Sequence, residues 1–310
     1  MKKIKLFAAL FVCNMAFLSQ SFASGHDEAF LTKRFPVASV TKIDVATAGG
    51  SIEVNGTAAQ DVIIEVFVSP NNGTSKWSTE KIQSVLDEYY ELDIKAENGL
   101  LTAHAERKKG AKWSSKTGLS ISFRITTPHT IDGQANTSGG SIKLREISGA
   151  FNFHTSGGSI KAEDCSGAIT LRTSGGSIKL DDLSGTITAK TSGGSVRAND
   201  VTGTLHTSTS GGSMILESIS GNLEARTSGG TIKVDMNSVN EYVRLNNSGS
   251  IDLAVPTGAY TLNLKGNKIE TPEFKNFDGS FKSKNITGTL SGGGPELTVK
   301  SSQRVNLSFK

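Results

Sequence analysis

The chain has 310 residues, 33 Lys and Arg against 29 Asp and Glu, 34 Gly and 6 Pro. A hydrophobic content of 36% is enough for a packed core, which excludes wholesale disorder. The glycines follow no Gly-X-Y period, which excludes collagen, and a formal net charge of only +4 gives no bulk attraction to nucleic acid.

The chain opens with an export signal, assigned to residues 1–23. Met1-Lys2-Lys3-Ile4-Lys5 is a basic leader, Leu6 to Leu18 is an apolar run, and Ser21-Phe22-Ala23 supplies small residues before a cleavage point at Ser24. Val12 stands before Cys13 where a lipoprotein signal needs a small residue. No later run reaches the ~18 apolar residues of a membrane helix. Removing the leader takes Lys2, Lys3 and Lys5 with it and lowers the net charge from +4 to +1. Cys165 is then the only cysteine, so no internal disulfide is expected.

Residues 24–136 read as a mostly β N-terminal cap. Strands are predicted over Val62–Val68, Leu92–Ala96, Leu100–Ala105 and Leu119–Ile125. Thr79–Tyr90 is the one helix candidate, with Ile82, Val85, Leu86 and Tyr89 on one side. Ala48-Gly49-Gly50-Ser51-Ile52-Glu53-Val54 looks like a stray copy of the repeat that follows.

Residues 137–255 carry that repeat. Ser-Gly-Gly-Ser or Ser-Gly-Gly-Thr begins at Ser138, Ser156, Ser174, Ser192, Ser210 and Ser228, always 18 residues apart. Apolar residues recur at half that interval, from Ile142, Phe151 and Ile160 through Leu223 and Ile232. Short alternating runs bounded by Gly turns are strands, and two per 18 residues make one coil of a parallel β-solenoid. Three inward columns follow. One runs Ile142, Ile160, Ile178, Val196, Met214, Ile232, and a second runs Phe151, Ile169, Ile187, Leu205, Leu223. The third is Ile147, Cys165, Leu183, Val201 and Ile219 at the turn, which makes Cys165 a buried apolar residue. The Gly pairs are expected to allow positive φ at the corners, with neighbouring Ser and Thr satisfying backbone groups. Val234 to Val239 is two residues longer than Leu144 to Ile147, so a bulge is expected at Asp235–Ser238. Residues 256–310 read as irregular closing coils, with Leu290-Ser291-Gly292-Gly293-Gly294 and alternating Leu297, Val299 and Val305.

The Thr-Ser-Gly-Gly-Ser-Ile-Lys-Leu units, the lead-in Phe123-Arg124-Ile125-Thr126-Thr127-Pro128 and the Gly-rich segment near Leu290 resemble a bacterial putative-adhesin family of exported proteins, a domain of unknown function. The resemblance covers residues 30–310 and implies the solenoid fold and an adhesin-like role. It brings no catalytic or ligand residues with it.

The outward positions also form columns. Lys143, Lys161, Lys179, Arg197 and Lys233, interrupted by Ile215, make a basic column that is the candidate ligand site. Arg172, Lys190, Arg226 and Arg244 form a looser one on the other sheet. Acidic columns run Glu163, Asp181, Glu217, Asp235 and Glu146, Asp164, Asp182, Asp200. One reading is a solvated face of cross-column ion pairs; the other is a flat array for an anionic glycan or envelope polymer. Leu144 stands where a calcium-binding nonapeptide roll has Asp, so no metal site or cofactor is expected, beyond loose divalent ions on the acidic columns. His26, His104, His129, His154 and His206 share no column, and 18-residue coils without insertions form no catalytic cleft. The sequence therefore predicts a non-enzymatic binding protein of the envelope, periplasm or outer surface. The alternative is a periplasmic structural or stress-related component that binds another envelope protein.

Overall fold

A computed structural model describes residues 28–71, 77–110 and 117–310. The leader, with Cys13, lies outside the described residues. The N-terminal third comprises β1 (Leu31–Pro36), β2 (Val40–Thr47), β3 (Ile52–Thr57), β4 (Asp61–Pro70), helix α1 (Thr79–Tyr89), β5 (Tyr90–Glu97), β6 (Gly99–Arg107), β7 (Leu119–Pro128), β8 (Asp132–Thr137) and β9 (Ile142–Arg145). The repeats give β10 (Ser148–Thr155), β11 (Ile160–Thr173), β12 (Ile178–Lys190), β13 (Val196–Thr209), β14 (Met214–Thr227) and β15 (Ile232–Asn247). The remainder is β16 (Ile251–Val255), β17 (Tyr260–Lys265), β18 (Lys268–Glu270), β19 (Phe277–Lys282), β20 (Asn285–Leu290), β21 (Glu296–Ser301) and β22 (Arg304–Phe309).

These strands form a parallel β-solenoid with two broad faces. β11 to β15 each run along one face, bend, and return along the other, so two predicted strands become one bent strand. The first face is ordered β1, β4, β7, β3, β9, the first halves of β11–β15, then β16, β22 and β18. The second is ordered β5, β6, β2, β8, β10, the second halves of β11–β15, then β21, β17, β20 and β19. Coils stack in strict 18-residue register, Ile160 on Ile142 and Ile178 on Ile160. All three predicted columns, Cys165 included, are buried. The first extends through Ile52 and Phe123 at one end and Ile251 and Val305 at the other. Each such side chain removed from water contributes about 1.5–3 kcal/mol, which no single coil could gather alone.

The bend explains an acidic column. Glu146, Asp164, Asp182 and Asp200 have φ of 54°, 54°, 54° and 52°, and Ser218 follows at 57°. Asp is among the few side chains that tolerate the left-handed region, so the backbone asks for this residue type there. Three residues on, Gly167, Gly185 and Gly203 have φ of 113° to 114°.

The Gly pairs do a different job from the expected one. Only Gly230 of the six pairs has positive φ, at 62°. The second Gly of each pair instead lies against the coil before it: a Cβ on Gly158 would stand 2.0 Å from the Gly140 carbonyl oxygen. The preceding Thr locks this close approach. Thr173 Oγ1 donates to the Gly158 carbonyl at 2.7 Å and accepts from the Gly176 N–H at 3.2 Å. Thr155, Thr191 and Thr209 repeat both bonds in their own coils. Thr173→Val is therefore expected to cost about 1–3 kcal/mol in urea unfolding, and Thr173→Ser less, because valine leaves two half-buried backbone groups unpaired.

The irregularity falls in β15 and includes the predicted Asp235–Ser238, the register against β14 shifting at three points between Leu216 and Leu223. Met236, not Val239, sits opposite Ile219 and is fully buried, so the extra residues come after the core position. Val239 is only partly buried.

Both ends of the stack are built out of chain order. The early copy of the repeat, β2–β3, is a genuine coil: Ile52 pairs with Ile142, and Thr137 Oγ1 donates to the Gly50 carbonyl at 2.8 Å. That coil is inserted between β6–β7 and β8–β9. At the far end β21–β22 is inserted between β15–β16 and β17–β18. The closing strands expected after Pro256 thus include the antiparallel hairpin β19–β20 as the outer cover and a final coil buried inside the stack. The predicted helix forms as α1, with Val85 and Leu86 buried and Ser78 Oγ accepting from the Lys81 N–H.

Candidate functional site

The outward side chains stand on this ladder in rows. Along the first face, Glu65, Arg124, Glu53, Lys143, Lys161, Lys179, Arg197, Ile215, Lys233, Asp252, Asn306 and Glu270 occupy successive strands in register. All five predicted basic residues therefore share one row, bounded by acids at both ends. Two positions along each strand, Arg145, Glu163, Asp181, Asn199 and Glu217 form the neighbouring row. Ion pairs between and within the two rows neutralise them in part. Lys161 bonds Glu163 in its own strand, Lys179 reaches Asp181 at 3.4 Å, and Lys143 lies 3.7 Å from Glu53. Arg145 Nε donates to Glu163 from one coil away at 2.7 Å.

These contacts set the protonation of the row. The Lys161 hydrogen bond, helped by Arg145, lowers the Glu163 carboxyl from 4.5 to about 2 against the opposing effect of burial. Asp181 is lowered by the Asn199 amide and then by Lys179. A carboxylate held below its ordinary value contributes stability above pH 4.5 and loses it as the pH falls toward 2. The Glu163→Gln variant should therefore show a smaller drop in melting temperature between pH 4.5 and pH 2 than the parent. An equal drop in both would remove Glu163 from the account.

The second face carries a different row. Ala46, Asn136, His154, Arg172, Lys190, Ser208, Arg226, Asn246, Lys300, Lys265, Asn285 and Lys282 are in register, and beyond Ala46 the row runs on through His104 to Asp93 at the N-terminal edge. Arg244, expected in this column, is not in it. The two extra residues of β15 put it opposite Glu224, in the row of Thr188 and His206, where it donates to Glu296 at 2.8 Å. Lys300, Lys265 and Lys282 join instead, a set hidden from periodicity because their strands enter the stack out of order.

Among the described residues, the histidines and their acids do not converge. His104 Nε2 is 3.3 Å from Asp44, and His206 Nδ1 is 3.4 Å from Glu224, on separate parts of the second face. His154 and His206 stand in different rows, and His26 lies outside the described residues. Burial raises the Cys165 thiol above its ordinary value, and its S–H donates to the Glu163 carbonyl at 3.0 Å, so it behaves as core. Among the described residues no group of three or more His, Cys, Asp or Glu could hold a metal ion, and no helix is long and apolar enough to cross a membrane. An open depression of about 590 Å³ at the C-terminal end is lined by Pro272, Phe274, Phe277 and Phe281, with Glu273 as its acid.

Stacked two-faced coils with charged outward rows define a β-solenoid repeat protein. The chain belongs to the family described as Toastrack DUF4097, whose model matches residues 34–303. Among solved structures it is similar to a putative adhesin from Bacteroides fragilis, at 14% identity over 90% of this chain and 96% of that one, with a TM-score of 0.40. It is also similar to a putative cell adhesion protein from Clostridium sporogenes, at 9% identity over 90% and 98%, TM-score 0.31. A putative lipid binding protein from Parabacteroides distasonis matches at 12% identity over 89% and 96%, TM-score 0.32. No curated protein matches the chain.

Proposed function

We propose that this is an exported, non-enzymatic binding protein of the cell envelope, adhesin-like in its use of flat solenoid faces to hold an anionic glycan or envelope polymer. The division into a cap over 24–136, repeats over 137–255 and closing coils over 256–310 is part of that reading, as is removal of the leader over 1–23. The observation that carries it is the registered rows of exposed side chains on two broad faces, beside histidines and acids that, among the described residues, do not converge. Flat repetitive surfaces suit a repetitive ligand, since each coil offers the same groups about 4.8 Å further on. On the first face the site is Lys143, Lys161, Lys179, Arg197 and Lys233. Arg197 and Lys233 have no acid partner among the described residues. Charge of this kind steers and orients an anionic ligand more than it tightens it.

Lys161→Ser, Lys179→Ser and Arg197→Ser together should weaken binding of fluorescent polygalacturonate several-fold at low salt. Unchanged binding would remove the first face from the site, and binding of a purified envelope protein that tolerates these changes would favour the protein-partner alternative. Export is tested by protease digestion on intact and then permeabilised cells. Cleavage only after permeabilisation would place the chain in the periplasm and take support from surface adhesion.

A further inference from the structure

We propose that the second face holds the principal binding strip: a linear polyanion laid along the solenoid axis over Arg172, Lys190, Arg226, Lys300, Lys265 and Lys282. This rests on reading the chain as a polymer-binding protein and assigns the face and the ligand class. From Ala46 to Lys282 the twelve registered positions contain no acid, the row's one acid being Asp93 at the N-terminal edge, five strand steps from Arg172, and all six of these cations are exposed. Only Arg226 forms an ion pair among the described residues, with Glu224 at 2.6 Å, and Lys300 adds a weaker attraction to Glu296. Glu224 in the adjoining row also faces His206, and the nearby Glu296 is held by Arg244. On the first face, by contrast, three of the five basic residues are already paired with acids.

Geometry argues for a polymer over a small anion. The cations stand one or two strands apart, so Arg172 to Lys282 spans eight strand steps, about 40 Å at ~4.8 Å each. The row runs along a sheet face, away from the depression lined by Phe274 and Phe277. Like charges on neighbouring strands, Arg172 beside Lys190 and Lys300 beside Lys265, repel in the free protein. A ligand carrying a negative charge at each step relieves that repulsion along its whole length. Hydroxyls flank the row on both sides: exposed Ser174, Ser192 and Ser210 in the turns, and Thr170 and Thr188 on the face. These can donate to the same phosphate or carboxylate oxygens.

The test uses the mature chain with long-chain inorganic polyphosphate and polygalacturonate as probes, and uncharged dextran as control. The variant Arg172→Ser/Lys190→Ser/Lys265→Ser/Lys300→Ser is compared with Lys161→Ser/Lys179→Ser/Arg197→Ser, and circular dichroism melts check that both fold. The parent should bind a polyanion and not dextran. The second-face variant should lose about ten-fold or more in affinity, with a shallower salt dependence, and the first-face variant distinctly less. Replacing Lys190, Lys265 and Lys300 by Arg should preserve binding. Preference for polyphosphate assigns a polymer that carries phosphate charge and preference for polygalacturonate assigns uronates, and either supports the strip. A loss no greater on the second face than on the first overturns this inference and leaves the polymer-binding reading standing. A parent that binds neither polyanion overturns both.

Discussion

Gly176→Ala is expected to destabilise the protein by about 3 kcal/mol or more, whereas Gly175→Ala, one residue earlier, should stay within about 1 kcal/mol of the parent. The two differ in what a methyl group would meet. At Gly176 a Cβ would stand 2.1 Å from the Gly158 carbonyl oxygen, 2.4 Å from its carbon and 2.7 Å from the Ser159 Cα. These are backbone atoms inside a ladder, held from one side by the Thr173 hydroxyl, so they cannot retreat without breaking the register of neighbouring coils. At Gly175 the nearest atoms are 3.6 Å away, ordinary contact, and the backbone is not in the left-handed region. There alanine also restricts the unfolded chain, a small gain. Urea unfolding of the two variants measures the difference directly. Equal midpoints would mean that the coils do not approach as closely as the Thr–Gly lock requires.

Removing Glu296–Lys310 should abolish the cooperative fold of the C-terminal third. In an ordinary solenoid the last repeat contacts one neighbour, and losing it costs one interface. Here the last fifteen residues supply strands on both faces that lie inside the stack. β21 joins β15 to β17, and β22 joins β16 to β18. Leu297, Val299, Val305 and Leu307 are essentially fully buried, so their loss removes on the order of 10 kcal/mol of burial. It also strands β17–β20 away from the remaining coils. Hydrogen exchange on the truncated chain should show β16 and the second half of β15 unprotected. Protection equal to that of the full chain would mean that the hairpin β19–β20 can seal the stack by itself.

The period was legible because stacking demands it. Identical residues recur at 18 where each coil must meet the same neighbours, which fixed the fold, the inward columns and the five-residue basic row. The helix was legible too, since Ile82, Val85, Leu86 and Tyr89 repeat at helical spacing. The reason for the Gly pairs was not. Gly serves positive φ and close approach alike, and only the three-dimensional stack shows that Gly176 answers to close approach alone, whereas Gly167 combines a φ of 113° with its own approach to the Gly149 carbonyl. Strand order was hidden as well, because sequence separation says nothing of where β2–β3 or β21–β22 insert. That concealed Lys300, Lys265 and Lys282. The extra residues in β15 misplaced Arg244 for a related reason: the spacing showed that a bulge existed, and the packing of Met236 decided on which side of it the core residue fell.

The most direct test is amine footprinting of the mature protein with and without polyanion, read lysine by lysine. The account predicts protection confined to the two basic rows, strongest at Lys190, Lys265 and Lys300 and weaker at Lys161 and Lys179, with Lys81 in α1 and Lys108 after β6 unchanged. Protection at those N-terminal lysines with none along the rows would contradict it.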